Sequence, residues 1–225
     1  MQATALRADI TIAPVAGHIG GRVQLASALD LPGFVMTFSR GEEIFGEEEP
    51  ADFVYKVVSG AVRTTRLLSD GRRQIGGFHL AGDVFGLELG QAHRFSAEAV
   101  VDAEIALVRR SAIDRACERD SAAARDLWSL TSRDLERLQD HMMLLGRKSA
   151  LERVASFLLD MSRRVRSGRA VDLPMSRTDI ADYLGLTIET VSRTLSQMER
   201  DHMIELPTAR HILLCDRRGL ADLDA

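Results

Sequence analysis

Cysteine is nearly absent from this 225-residue chain, which holds only Cys117 and Cys215. Two cysteines cannot make a disulfide framework. The six histidines (His18, His79, His93, His141, His202, His211) show no metal-ligand spacing, so neither a metal nor another cofactor is expected. A free cysteine is more often a small buried hydrophobe than a redox sensor. Long apolar runs are missing too. Charges interrupt every candidate before the roughly 20 residues that a membrane span needs. The first twelve residues lack the basic-then-apolar order of a signal peptide, so a cytoplasmic protein with no membrane partner is expected. No nucleophile–base pair or phosphate-cradling loop stands out, so an enzyme is not expected. Positive charge is also lacking. The net charge is -4, and residues 148–225 carry 12 basic and 12 acidic side chains. Charge permits nucleic-acid binding without advertising it.

What is present is ordered along the chain. Residues 1–30 show no firm pattern and read as a loose arm or a short helix. Residues 31–118 are glycine-punctuated and rich in short strand-like segments, which suggests a small antiparallel barrel or sandwich. The run 53–58 (FVYKVV) reads as a strand ending at Ser59 and Gly60, with 61–67 (AVRTTRL) as its hairpin partner. Asp70 and Gly71 signal a tight turn. An acidic stretch, Glu42, Glu43 and Glu47 to Glu49, reads as a solvated loop.

Residues 119–147 carry a long helix. Trp128, Thr131, Leu135, Leu138, Met142 and Leu145 recur at alternating spacings of three and four, a heptad seam with one polar member. A second apolar group, Leu127, Leu130, Met143 and Leu144, lies off that seam. The whole stripe either packs on the chain's own β domain or divides, with the seam meeting a second copy in a homodimer. The character of residues 148–225 favours the second arrangement. Gly146 to Lys148 reads as a hinge, 150–165 as a further helix, 166–170 as a polar loop, and 171–174 as an edge strand ending at proline.

Residues 148–225 form the most specific unit. Ser176 followed by Asp179 resembles a capped helix start. Ile180, Ala181 and Leu184 form an inner face. Gly185 falls where a tight turn needs positive φ. Thr187 caps a second helix whose Val191 and Leu195 point inward. That register is a helix-turn-helix. Its second helix aligns Glu189, Ser192 and Arg193 on one face. An arginine fork matches guanine in the major groove, a glutamate accepts from cytosine, and Ile188 offers an apolar surface to a thymine methyl. Read only as a surface ion pair, Glu189 and Arg193 would contribute a few tenths of a kcal/mol. Arg177, Thr178, Thr187, Thr190 and Arg210 are candidates for phosphate contact. Segments 204–206 and 211–215 read as the strands of a wing with Arg210 and His211 at its tip. Double-stranded DNA is the expected partner.

A β-roll, a long helix and a winged helix-turn-helix in this order resemble the CRP/FNR transcription regulators over residues 33–223. The stretch from Gly185 to Arg193 (GLTIETVSR) resembles the recognition helix of the FNR type. The phrases AGDVFGLE at 81–88 and HRFSAE at 93–98 are similar to the FixK branch. The resemblance implies an α+β fold, with a cyclic-nucleotide-binding-like β-roll, a dimerisation helix and a C-terminal DNA-binding domain. It implies a homodimeric activator of microaerobic, nitrogen-fixation or denitrification genes, acting on a palindrome close to TTGA-N6-TCAA. It also implies contact between exposed β-roll loops and RNA polymerase. Nucleotide-binding relatives hold ribose with a Gly-Glu pair and the cyclic phosphate with an Arg-Ser or Arg-Thr pair. Here those pairs are Gly86-Leu87 and Phe95-Ser96, with Arg94 one residue away. No cysteine precedes Cys117 to hold an iron–sulfur cluster, and Ser176 stands where some relatives carry a regulatory cysteine. The expectation is a regulator without a small-molecule effector. The alternatives are gating by haem (through His79 or His93), nitric oxide or a shifted nucleotide, and a signalling module that uses the hairpin only as a scaffold.

Overall fold

The computed structural model describes residues 19–88, 90–165 and 170–224. The expected arm lies outside these as far as residue 18. From residue 19 the chain is already a strand, β1 (Ile19–Gln24), antiparallel to β2 (Asp30–Phe38). Gly20, Gly21 and Arg22 erase any alternation in β1, so long-range pairing with β2 decides it and no local signal reports it.

Seven more strands follow: β3 (Glu43–Phe45), β4 (Phe53–Ser59), β5 (Ala61–Leu67), β6 (Arg73–Leu80), β7 (Val84–Phe85), β8 (Ser96–Ala99) and β9 (Ala103–Arg109). They form two sheets, ordered β1-β2-β9-β4-β7 and β3-β8-β5-β6. Phe45, Tyr55, Val57, Val62, Ile105 and Leu107 belong to the core of this β-roll. Alternate residues of β9, Ala106 and Val108, face the opposite side with Val23, Leu29 and Val54. Burial on both faces explains why β9 reads as a continuous apolar run.

The structure corrects the first hairpin. β4 pairs with β9 and β7, whereas β5 pairs with β6 and β8. One residue, Gly60, separates β4 from β5, fewer than the two that a tight hairpin loop requires. At φ +85° Gly60 turns the chain from one sheet into the other, and a Cβ there would lie 2.4 Å from the Asp102 carbonyl oxygen. The hairpin partner of β5 is β6. The turn between them is the one that Asp70 and Gly71 signal, closed by Leu68 and Arg72 backbones at 2.8 Å.

α1 (Arg110–Arg119) leads to α2 (Ser121–Arg147), capped by the Asp120 carboxylate on the Ala122 N–H. At about 1.5 Å per residue α2 is roughly 40 Å long. Near its start, Ala123, Leu127 and Leu130 pack on the β-roll. Near its end, Leu144 and Leu145 join the C-terminal core. Gly146 is helical, and the break falls at Lys148, which is extended.

The C-terminal unit comprises α3 (Ala150–Val165), β10 (Ala170–Asp172), α4 (Arg177–Leu184), α5 (Ile188–Arg200), β11 (Ile204–Glu205), β12 (His211–Leu214) and α6 (Arg217–Asp224). Of the polar loop expected at 166–170, only Ala170 is described. β10, β12 and β11 make the wing sheet. The closing helix α6 is short and contains Gly219, so its sequence gives weak helical signal. Burial of Leu220 and the Lys148–Asp224 ion pair at 2.7 Å hold it against the unit. Among the described residues no helix is long and apolar enough to cross a membrane.

The two units meet through charge. Asp179 on α4 accepts from Arg63 at 2.8 Å and from Arg73 at 2.7 Å, and Asp182 pairs with Arg73 at 2.7 Å. Asp83 in the β-roll accepts from Arg137 of α2 at 2.9 Å and from Arg164 of α3 at 2.7 Å. Burial pushes the Asp83 carboxyl up, but Arg164, the Leu80 N–H and Arg137 outweigh it and hold the group below its usual range.

Candidate nucleic-acid interface

The helix-turn-helix is fixed by local chemistry first. The Ser176 hydroxyl accepts from the Asp179 N–H, while the Asp179 carboxylate accepts from the Ser176 N–H, a reciprocal capping box. Asp179 therefore has two tasks, since the same carboxylate binds the two β-roll arginines. Burial raises its pKa, but the Ser176 hydrogen bonds and the two guanidinium groups bring it below the ordinary carboxylate range. α4 ends at Gly185, left-handed at φ 62° and ψ 38°, whose N–H returns to the Ala181 carbonyl. A Cβ on Gly185 would meet the Leu145 side chain at 3.4 Å. Thr187 then caps α5, accepting from the Thr190 N–H at 3.2 Å.

On α5, Val191, Thr194, Leu195 and Met198 are buried, whereas Ile188, Glu189 and Arg193 are exposed. Ser192 is half-buried, with Arg177 Nη1 3.4 Å from its hydroxyl. The exposed N-terminal half of α5 thus presents a carboxylate, a hydroxyl and a guanidinium on one face. The Glu189 carboxyl is held below its usual range by its own backbone N–H, the Thr187 hydroxyl and Arg193. It is an ionised acceptor at neutral pH, suited to a cytosine amino group.

The expected phosphate group separates in space. Thr178 and Thr187 are exposed, but the Thr190 hydroxyl lies 3.1 Å from that of Thr187 and its side chain is half-buried. Arg177 leans on α5 through Ser192, so it braces the face that carries Glu189 and Arg193. Arg210 belongs to the wing loop, where Thr208 Oγ1 accepts from the Arg210 and His211 N–H groups. Its side chain lines a cavity facing the β-roll. His211 Nδ1 lies 2.6 Å from Asp172. Sequence reasoning missed Arg40, Arg63 and Arg73, which share that cavity with Arg210. They lie more than 100 residues from α4 in the chain, and no local pattern brings them together.

The long helix leaves an apolar stripe uncovered in the protomer. Trp128 is 76% exposed, Leu135 55%, Leu138 52%, Met142 64% and Met143 60%. Thr131 donates to the Leu127 carbonyl at 3.0 Å. Leu145 instead packs with the C-terminal core, so the exposed seam ends at Met142.

The β-roll, α2, α3 and α4 line a cavity of about 620 Å³. Leu87, Arg94 and Phe95 line it together. Leu87 offers no acceptor to a ribose. The Phe95 ring lies 3.0 Å from the position of a Cβ on Gly76, and Ser96 Oγ already accepts from the Glu47 N–H at 2.9 Å. His93 stacks on Phe45 at 3.6 Å and bonds Glu88 through Nδ1 at 2.7 Å. His79 is buried, 3.5 Å from the Thr64 hydroxyl, and burial lowers its pKa to about 4. The unfolded chain takes up a proton near pH 6.5 that this folded ring refuses. Stability is therefore expected to be full above pH 6.5 and to fall toward pH 4, by up to about 1.4 kcal/mol per pH unit from this group. Urea unfolding at pH 7 and pH 5 checks it. His79→Leu must show the flatter dependence, and an identical dependence removes His79 as the cause.

The Crp-like helix-turn-helix domain family matches residues 152–223, and the cyclic nucleotide-binding domain family matches residues 35–120. The chain is 50% identical over 207 residues to the nitrogen fixation regulation protein FixK of Azorhizobium caulinodans, covering 90% of this chain and 82% of that one. It is 44% identical to the FixK of Rhizobium meliloti, covering 85% and 88%. The solved structure of FixK2 from Bradyrhizobium japonicum superposes with a TM-score of 0.83 at 54% identity, over 86% of this chain and 98% of that one.

Proposed function

We propose, from the premise that this chain belongs to the CRP/FNR family of DNA-binding transcription regulators and to its FixK-type branch, that it activates transcription in the cytoplasm as a homodimer on a palindrome close to TTGA-N6-TCAA. The observation that carries this reading is the exposed face of α5, where capped geometry aligns Glu189, Ser192 and Arg193. Arg193 donates to guanine, Glu189 accepts from cytosine, and Ile188 meets a thymine methyl. Thr178 and Thr187 contact phosphates and set the register. The exposed stripe on α2 pairs with its copy and separates two recognition helices by about one turn of DNA. Targets are microaerobic, nitrogen-fixation or denitrification genes, and the names of the FixK relatives, nitrogen fixation regulation proteins, support the second of these.

The protein acts without an effector, and the mismatch of Leu87 and Phe95 with a nucleotide supports that. RNA polymerase meets the acidic stretch of the β-roll, of which Glu43 and Glu48 are exposed. Glu42 and Glu49 already accept from the Ser39 and Gly46 N–H groups, and Glu47 pairs with Arg66. The test is binding of purified protein, without additives, to a TTGA-N6-TCAA duplex and to a scrambled control. Discrimination of about 10³-fold or more is expected. Equal affinity for the two duplexes excludes this operator. Binding only after a ligand is added favours the gated reading, for which the 620 Å³ cavity at the junction is the supporting observation.

A further inference from the structure

A second concentration of guanidinium groups lies away from the recognition helix. Arg40 before β3, Arg63 on β5, Arg73 on β6 and Arg210 in the wing line a cavity of about 240 Å³ between the β-roll and the winged helix. Two carboxylates, Glu98 and Asp179, share it, which leaves cations in excess. Glu98 and Asp179 engage Arg63 through its two terminal nitrogens, at 2.5 and 2.8 Å. The Arg63 side chain is only 14% exposed, and its Nε is buried with no hydrogen-bond partner among the described residues. Arg73 is held by Asp179 and Asp182. The Arg40 backbone N–H donates to Asp102 Oδ1 at 2.8 Å, but neither its guanidinium nor that of Arg210 is in an ion pair among the described residues. Buried donors are normally satisfied, and like charges gathered in a pocket call for a counter-charge.

We propose that this cavity binds a phosphoryl oxyanion, which links the β-roll to the wing. A phosphoryl group supplies several acceptor oxygens and negative charge to guanidinium forks, whose geometry matches it. Ser176 lines the same cavity, and the adjoining Arg177 touches Ser192 of α5, so the pocket borders the base-reading motif. The oxyanion has two possible sources: the backbone of the duplex flanking the operator, or a free phosphorylated small molecule. Only the first source rests on the DNA-binding function proposed for α5.

The experiment uses the full chain as wild type, Arg40→Gln, Arg210→Gln and the double variant. Neither guanidinium holds an ion pair among the described residues, and circular dichroism verifies that each variant folds. In one arm, inorganic pyrophosphate is titrated without DNA by calorimetry. In the other, operator affinity is measured against salt on a duplex ending at the palindrome and on one longer by ten base pairs at each end. A free-ligand site gives pyrophosphate binding weakened at least tenfold in each single variant. A backbone site gives tighter binding to the longer duplex, with a salt slope that falls by about two in Arg40→Gln, one lost phosphate contact per protomer. Either result supports the pocket. The proposal is overturned if wild type ignores pyrophosphate and the double variant keeps the wild-type salt slope. Pyrophosphate binding unchanged in the double variant, with an unchanged slope, also overturns it. Loss of operator binding in wild type would fault the operator reading and leave the pyrophosphate arm standing.

Discussion

Arg193→Ala is expected to weaken binding to the palindromic duplex by about 1–3 kcal/mol per half-site, or roughly 30-fold to 10⁴-fold for a dimer reading both halves. The cause is specific. Arg193 is exposed on the first turns of α5, while the helix itself is held from beneath by Val191, Leu195 and Met198. Truncation removes a donor fork without disturbing that packing, so the variant should unfold at the same urea concentration as wild type. Discrimination against a duplex changed at the guanine should fall more than binding to random DNA, because the phosphate contacts remain. Competition with duplexes substituted base by base reads this out. Unchanged affinity and unchanged discrimination would remove Arg193 from the base-reading set. Loss of affinity with discrimination intact would reassign it to a phosphate.

The second large effect concerns α2. Leu135→Glu should convert the protein to a monomer at micromolar concentration, with dimer affinity falling about 100-fold or more. Leu135 is 55% exposed, between Trp128 and Met142 on the uncovered stripe. A glutamate there is harmless to the protomer but brings two like charges into an apolar seam between copies. Operator binding should fall with it, because the second recognition helix loses the high effective concentration that a linked partner provides. Sedimentation velocity and operator titration together test the point. A variant that stays dimeric at low micromolar concentration places the interface elsewhere. A monomeric variant with full operator affinity separates DNA binding from dimerisation.

The parts of the molecule legible in the sequence are those set by neighbours in the chain. Helix caps act over three residues, so Ser176, Asp179 and Thr187 mark the starts of α4 and α5 without reference to anything distant. Gly185 needs a left-handed conformation, which few other residues adopt at low cost. Heptad spacing similarly places Trp128, Leu135 and Met142 on one stripe from helical geometry alone. The Asp70-Gly71 turn between β5 and β6 is local in the same way.

Where pairing is long-range, the sequence is silent or misleading. FVYKVV and AVRTTRL look like hairpin partners because each suits a strand, and a strand pattern does not name its neighbour. The tertiary structure sends them to different sheets, with Gly60 at the corner. It also turns Leu145 from the seam into the C-terminal core, and it sets Arg177 against Ser192. Above all, it carries Arg40, Arg63 and Arg73 to the foot of α4, where Asp179 takes up two of them. Sequence by itself determined a capped helix-turn-helix that sets Glu189, Ser192 and Arg193 on one face, because those constraints reach no further than a few residues. Only the tertiary structure decided how that motif is seated on the β-roll, because charge pairing across about 100 residues leaves no periodic trace in the chain.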